Sequence, residues 1–194
     1  MASSDSDSDA DLALFLSIPW SAKLLADPQF ELSPTDSRIP KPTTEDSFVA
    51  ETLQSQRTVR TWVTQHRLPA DYPSYPIREA RSFLQLGDGV CGFPGVCHGG
   101  MVATLLDEVT GVLLTANAKE TDRRAGTTEG LKSFTAYLNV SYKKPLPAPG
   151  LALAVAKIKK VEGRKIYILS SLEDGLGAVF ATAEIMFIET LAKL

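Results

Sequence analysis

Two adjacent carboxylates, Asp107 and Glu108, are the only charged residues between Met101 and Ala118, in the run MVATLLDEVTGVLLTANA. A carboxylate among apolar neighbours costs several kcal/mol unless it is paired, hydrogen-bonded or neutralised. The same burial raises its pKa and improves it as a base near neutrality. Immediately before the run stand His98, Gly99 and Gly100. A helix beginning there would offer unpaired N–H groups at the positive end of its macrodipole. With no Cβ in the way, a carbonyl oxygen can approach them as closely as an oxyanion hole requires. Plainer alternatives exist for each feature: the carboxylates could emerge at a solvent-facing edge, and the glycines could serve an ordinary turn after Pro94-Gly95.

Spacing limits how these groups cooperate. His98 and Asp107 are nine positions apart, roughly 13.5 Å along a helix, and at about 100° per residue they point to nearly opposite sides. One substrate carbon cannot meet both groups of a single chain. A two-fold dimer could bring the Gly99 end of one copy to the Asp107 of the other, and pairing of the two helices would bury the second apolar face. Other schemes fare worse. There is no G-x-S-x-G elbow, and His66 is the only other histidine. Cys97 adjoins His98, but neighbours in sequence rarely aim at each other. Two histidines and two cysteines, Cys91 and Cys97, argue against a metal site or a disulfide framework.

The elements that must hold these residues are readable in outline. Residues 98 to 118 read as a helix, apolar all round and therefore covered on both sides. Four β-rich stretches follow, near 131–142, 150–161, 164–173 and 177–188, punctuated by Pro/Gly at 145–150 and glycines at 163, 175 and 177. In the second, Ala152, Ala154 and Ala156 alternate with Leu and Val, so both faces should be covered. Residues 77–86 suit a first strand. One helix followed by an antiparallel meander is an α+β plan, a curved sheet around a central helix, which is the hotdog fold.

Upstream, residues 1–11 form an acidic Ser/Asp stretch expected to be disordered. Residues 12–70 read as a helical extension and linker. A short helix should break at Pro19 and resume to about Ala26, with Leu14, Phe15, Leu24 and Leu25 docking it. Turn residues fill 27–44, and Phe48, Leu53, Val59 and Val63 follow helical spacing. The hotdog domain then spans 71–190, leaving 191–194 as a tail.

The 194 residues carry a net charge of −3, with 44% hydrophobic and 22% charged residues. This is an ordinary globular composition, with no general reason to bind nucleic acid. No run approaches the roughly 20 apolar residues of a membrane span. The acidic N-terminus resembles neither a secretory signal nor a transit peptide. Ala192-Lys193-Leu194 lies one residue from the Ser-Lys-Leu peroxisomal address, so a peroxisome is one expectation and the cytoplasm the other.

The segments PGVCHGGMVATLLDEVTG, FTAYLNVSYKKPLP and KVEGRKIYI together resemble the PaaI-type hotdog thioesterases, in a branch similar to the mitochondrial acyl-CoA thioesterases. The resemblance covers about residues 75–190. It implies hydrolysis of acyl-CoA, with Asp107 as general base or nucleophile and the Gly99 N–H as oxyanion donor. Gly100 completes the motif, His98 helps polarise the carbonyl, and Thr135 orients water or the acid. Many relatives carry Asn six residues before the His, where this chain has Gly92. Lys143, Lys144, Arg164 and Lys165, on adjacent stretches, could clamp the phosphates of CoA, as could Arg123 and Arg124. No metal or separate cofactor is implied. The expected assembly is a homodimer, with pairing into tetramers left open. Two alternatives stay open: a thioesterase for carrier-protein-bound acyl groups, and a non-catalytic acyl-CoA-binding dimer. In either case a helix from residues 1–70 could lid the acyl groove.

Overall fold

The computed structural model describes residues 3–72, 74–128 and 132–190, with side chains from Asp9 onward. Two N-terminal helices, α1 (Ser3–Leu16) and α2 (Pro19–Leu25), flank a break at Pro19, which occupies the first turn of the second. Helix α1 begins inside the stretch expected to be disordered. A short strand, β1 (Phe30–Ser33), lies within the expected linker. A single π-type turn over Phe48–Thr52 precedes β2 (Val59–Arg67). Then come β3 (Glu79–Leu86) and the small hairpin β4 (Cys91–Phe93) and β5 (Val96–Cys97). Helix α3 (Gly99–Ala125) follows. The chain closes with β6 (Ser133–Tyr142), β7 (Gly150–Glu162), β8 (Lys165–Glu173) and β9 (Val179–Glu189).

Helical spacing misled over residues 48–67. The run TVRTWVT, residues 58–64, has five β-branched residues in seven, which favours a pleated strand over a helix. The sheet therefore begins upstream of residue 71: β1 pairs with β2 and β2 with β3 in one seven-stranded antiparallel sheet of order β1-β2-β3-β7-β8-β9-β6. The four downstream strands fall where the punctuation placed them.

The sheet curves around α3, as the α+β hotdog plan requires. Leu105, Leu106, Val109 and Leu113 of α3 pack fully buried among Ala152, Ala154 and Ala156 of β7 and Ile166 and Ile168 of β8. Small alanines on β7 let the helix approach closely. By length and composition alone α3 could cross a membrane, which the run-length expectation missed. Half of its most apolar stretch is buried inside the protein, as befits a core helix.

The other face of β2, β3 and β7 is covered by the N-terminal helices. Phe15 packs against Phe83 at 5.7 Å between ring centroids, Trp20 stacks on Phe83 at 5.9 Å, and Val63, Leu153 and Val155 complete this layer. Helices α1 and α2 therefore lie across the sheet from α3 and cannot lid a groove beside it. The chain does cover α3 with another segment. Asp36 pairs with Lys119 at 2.5 Å, and Val49 and Leu53 join the main core. Part of the helix's second apolar face is thus buried by the chain itself, a task the sequence had assigned wholly to a partner's helix.

Candidate active site

His98 is the N-cap of α3. Its backbone is extended (φ −62°, ψ 136°) and its Nδ1 accepts a hydrogen bond from the Gly100 N–H at 2.9 Å. That bond fixes the neutral ring's proton on Nε2. The ring stands close over the β4–β5 hairpin: a Cβ at Gly92 would come within 3.0 Å of His98 Cδ2. Glycine at 92 makes room for the imidazole. Tyr142, at the end of β6, donates its hydroxyl to the Gly99 carbonyl at 2.8 Å and so ties the helix start to the sheet. Among the described residues the Gly99 N–H has no acceptor. As the first N–H of the helix it is free by construction.

Asp107 lies two turns further on, half-buried, and contacts the opposite end of β6. Thr135 Oγ1 donates to Asp107 Oδ1 at 3.1 Å. Burial raises the Asp107 carboxyl above its ordinary range, and the Thr135 hydrogen bond opposes that shift in part. Glu108 faces away from β6, toward Ser37, and burial raises its carboxyl too. The structure therefore gathers His98, Gly99 and Gly100 with Tyr142 at one end of β6, and Asp107 with Thr135 at the other. It does not join the two groups within one chain. Tyr142 and Gly92 were the residues overlooked. Tyr142 stood in the quoted Tyr-Lys-x-Pro segment, and Gly92 was noted only as a departure from relatives.

The basic residues divide in the same way. Lys143 and Lys144 line an open cleft of about 610 Å³ beside His98, Gly99 and Tyr142. Arg164 sits in the β7–β8 turn and Lys165 opens β8, where it aligns with Ile188, which aligns with Phe134. Those positions are the two ends of a ten-residue strand, roughly 30 Å apart at about 3.3 Å per residue. One chain does not assemble the expected four-residue clamp. Arg123 and Arg124 are engaged elsewhere: both bond Glu120 at 2.7 Å, and Arg123 foremost holds that carboxyl down at about 2. Cys97 is no nucleophile, because burial and the nearby Cys91 push its thiol up to about 11. His66 lies on β2 beside Glu31, away from the site.

Among the described residues strand β6 pairs only with β9, so its other edge presents unpaired backbone groups. Leu138 and Val140 lean on the core, but most of its side chains are exposed, with Phe134 at 62% and Tyr142 at 57%. A bare ten-residue edge of this kind is a template for another strand.

A central helix capped by His-Gly-Gly, an acid two turns on and a wrapping antiparallel sheet are the features of a hotdog domain. Residues 94–181 match the model of the thioesterase superfamily. Among characterised proteins it is similar to the acyl-coenzyme A thioesterase THEM4 of Mus musculus, 33% identical over 93 residues, 48% of this chain and 35% of that one. It is also 33% identical over 129 residues to the Verlamelin biosynthesis protein B of Lecanicillium sp, 57% of this chain and 56% of that one. The chain thus spans from about a third to little more than half the length of these relatives. A hypothetical thioesterase of Streptococcus pneumoniae solved with coenzyme A shares the fold, with a TM-score of 0.50 at 13% identity over 58% of this chain and 79% of that one. A mutant of a hypothetical thioesterase from the same organism gives a TM-score of 0.52 at 11% identity, covering 68% and 91% of the two chains.

Proposed function

We propose that this protein hydrolyses acyl-CoA thioesters at two sites shared across a homodimer. The observation that carries the proposal is the division of the machinery between the two ends of β6, whose outer edge is bare. If β6 pairs antiparallel with its copy about an axis at Asn139, the bulge between Thr135 and Tyr137 brings Thr135 opposite Tyr142 of the partner subunit. Asp107 of one subunit then faces Gly99 of the other, and each site is complete. The same register brings Lys143 and Lys144 of one copy toward Arg164 and Lys165 of the other. The basic clamp for the CoA phosphates re-forms across the interface.

Chemically, the thioester carbonyl oxygen accepts the free Gly99 N–H at the start of α3, with His98 Nε2–H turned toward the same cleft. Asp107, held by Thr135, takes a proton from water as its oxygen bonds to the carbonyl carbon. The tetrahedral oxyanion is stabilised at Gly99. When the C–S bond breaks, the CoA sulfur receives the proton from Asp107 and the acid leaves. Water, one carboxylate and a backbone donor suffice, so no metal or separate cofactor takes part. The names of the THEM4 relatives support CoA as the thiol, and a role in fatty acid metabolism follows if the acyl group is a fatty one.

The test is release of free thiol from acyl-CoAs of graded length by wild type and Asp107→Asn in parallel. The binding of a thioether analogue is measured beside it. Loss of turnover with retained binding supports the enzyme. Equal behaviour of both proteins, with binding but no turnover, would establish a non-catalytic binding dimer, and turnover confined to acyl-carrier-protein substrates would move the substrate class. Ala192-Lys193-Leu194 lies outside the described residues. As a peroxisomal address it is tested by the destination of a fluorescent fusion with and without those three residues.

A further inference from the structure

Asp107 and Glu108 are neighbours on α3 but open onto different spaces. Asp107 turns toward β6, whereas Glu108 faces residues 33–46, which cross the other flank of the helix and leave a cleft of about 410 Å³. The cleft runs over Glu108, Gly111 and Thr115. Gly111 is one turn beyond Asp107 on the same face, and a Cβ there would meet nothing within 4 Å. On the turn after the catalytic acid, Gly111 thus leaves a position without a side chain beside the cleft.

A groove for a plain hydrocarbon tail would be lined by apolar and aromatic side chains. This cleft is mixed: charged and hydroxyl side chains share it with Pro34, Ile39, Val112 and Ala116. Lys41 bonds Asp46 and lies 3.5 Å from Glu45, and Lys119 lies 2.5 Å from Asp36, so both lysines are already neutralised. Glu108 has no cation within ion-pair distance among the described residues. Burial, foremost, and the charges of Asp46 and Asp107 raise its carboxyl, against the Ser37 hydroxyl and Lys41. Ser37 Oγ is itself buried and makes no hydrogen bond of good geometry among the described residues. Glu108 therefore faces the cleft with only the neutral Ser37 hydroxyl beside it, next to an apolar wall that includes Val112 and Ala116.

We propose that this cleft receives the acyl group and that Glu108 and Ser37 select acyl thioesters bearing a neutral hydrogen-bonding substituent, a hydroxyl, over unsubstituted chains. The proposal rests on the thioesterase function proposed above and names its substrate class. A carboxylate substituent is disfavoured by sign, since the cleft carries four acids, Asp36, Glu45, Asp46 and Glu108, against two lysines. A hydroxyl can donate to Glu108 when that carboxyl is ionised and accept from it when protonated, so it suits either state. A buried polar group left unpaired by a plain chain, compared with one satisfied by a hydroxyl, corresponds to roughly tenfold in specificity.

The experiment compares kcat/KM for acyl-CoAs of matched length, unsubstituted or hydroxylated at successive positions, in wild type, Glu108→Gln, Glu108→Leu and Ser37→Ala. Dissociation constants of the matching thioether analogues, which cannot be hydrolysed, are measured on the same full-length proteins. The expected result is a preference of roughly tenfold for one hydroxylated series in both readouts. That preference should be largely kept by Glu108→Gln, weakened by Ser37→Ala and abolished by Glu108→Leu. Equal affinity and turnover for hydroxylated and plain series, or a preference untouched by Glu108→Leu and Ser37→Ala, would overturn it. Preferential binding of the hydroxylated analogues without any hydrolysis would uphold the subsite and refute the thioesterase.

Discussion

Replacing Gly99 by proline removes one atom group that the proposed chemistry needs and little else. Position 99 is the first residue of α3, where proline is favoured because the missing N–H has no helical partner. His98, before it, already has the extended backbone that a following proline demands. A side-chain atom at 99 would sit 3.5 Å from Tyr142, an ordinary contact. Stability should therefore hold or rise by up to about 1 kcal/mol through the stiffer unfolded chain. Catalysis should not hold. Loss of one oxyanion donor costs about 3–4 kcal/mol of transition-state stabilisation, or roughly 10²–10³ in kcat. Thermal unfolding and thiol release from one acyl-CoA, measured on the same preparation, separate the two effects. A folded Gly99→Pro protein with wild-type kcat would refute the oxyanion role of Gly99. A protein that fails to fold would refute the helix-start geometry.

Other outcomes are fixed by the same contacts. Thr135→Val removes the hydrogen bond that favours ionised Asp107. Because the base must be ionised, activity falls as pH drops through the Asp107 pKa, and the acid limb of the kcat/KM profile should move to higher pH. A limb that stays put or moves down would show that Thr135 does not tune the acid. Alanine at Lys143, Lys144, Arg164 and Lys165 together should raise KM for acyl-CoA with a smaller effect on kcat. It should also flatten the salt dependence of KM, whereas an unchanged KM would remove these residues from phosphate binding. Phe15→Ala empties a fully buried site between α1 and the sheet and should cost about 3–5 kcal/mol in urea unfolding. A loss under 1 kcal/mol would mean that the N-terminal helices are only loosely docked.

Much of this was legible in the sequence where local and global signals agree. The strands after α3 are each bounded by Gly or Pro, and β7 alternates Ala with Leu or Val, so their limits and two-sided burial could be read directly. The helix start was equally clear, because His-Gly-Gly before an apolar run combines a cap with exposed N–H groups. Residues 48–67 were misread because Phe48, Leu53, Val59 and Val63 happen to follow a helical period. The β-branched content of the same segment carried the decisive signal. Nothing local announced that residues 33–53 fold over α3, since that contact depends on ion pairs such as Asp36 with Lys119, distant in sequence. The division of the site was foreseen from helix geometry. That its halves would attach to opposite ends of one bare-edged strand needed Tyr142 and Thr135 to be seen in register.

The claim that each site is built from two copies is tested most directly by mixing subunits. Asp107→Asn and Gly99→Pro chains, each nearly inactive alone, are unfolded together in equal amounts and refolded. Random pairing makes about half the dimers mixed, and each mixed dimer has one site with both Asp107 and the Gly99 N–H intact. Thiol release should then return to about a quarter of the wild-type rate. If Asp107 and Gly99 served the same site within one chain, every site would remain defective and the mixture would stay as inactive as its components.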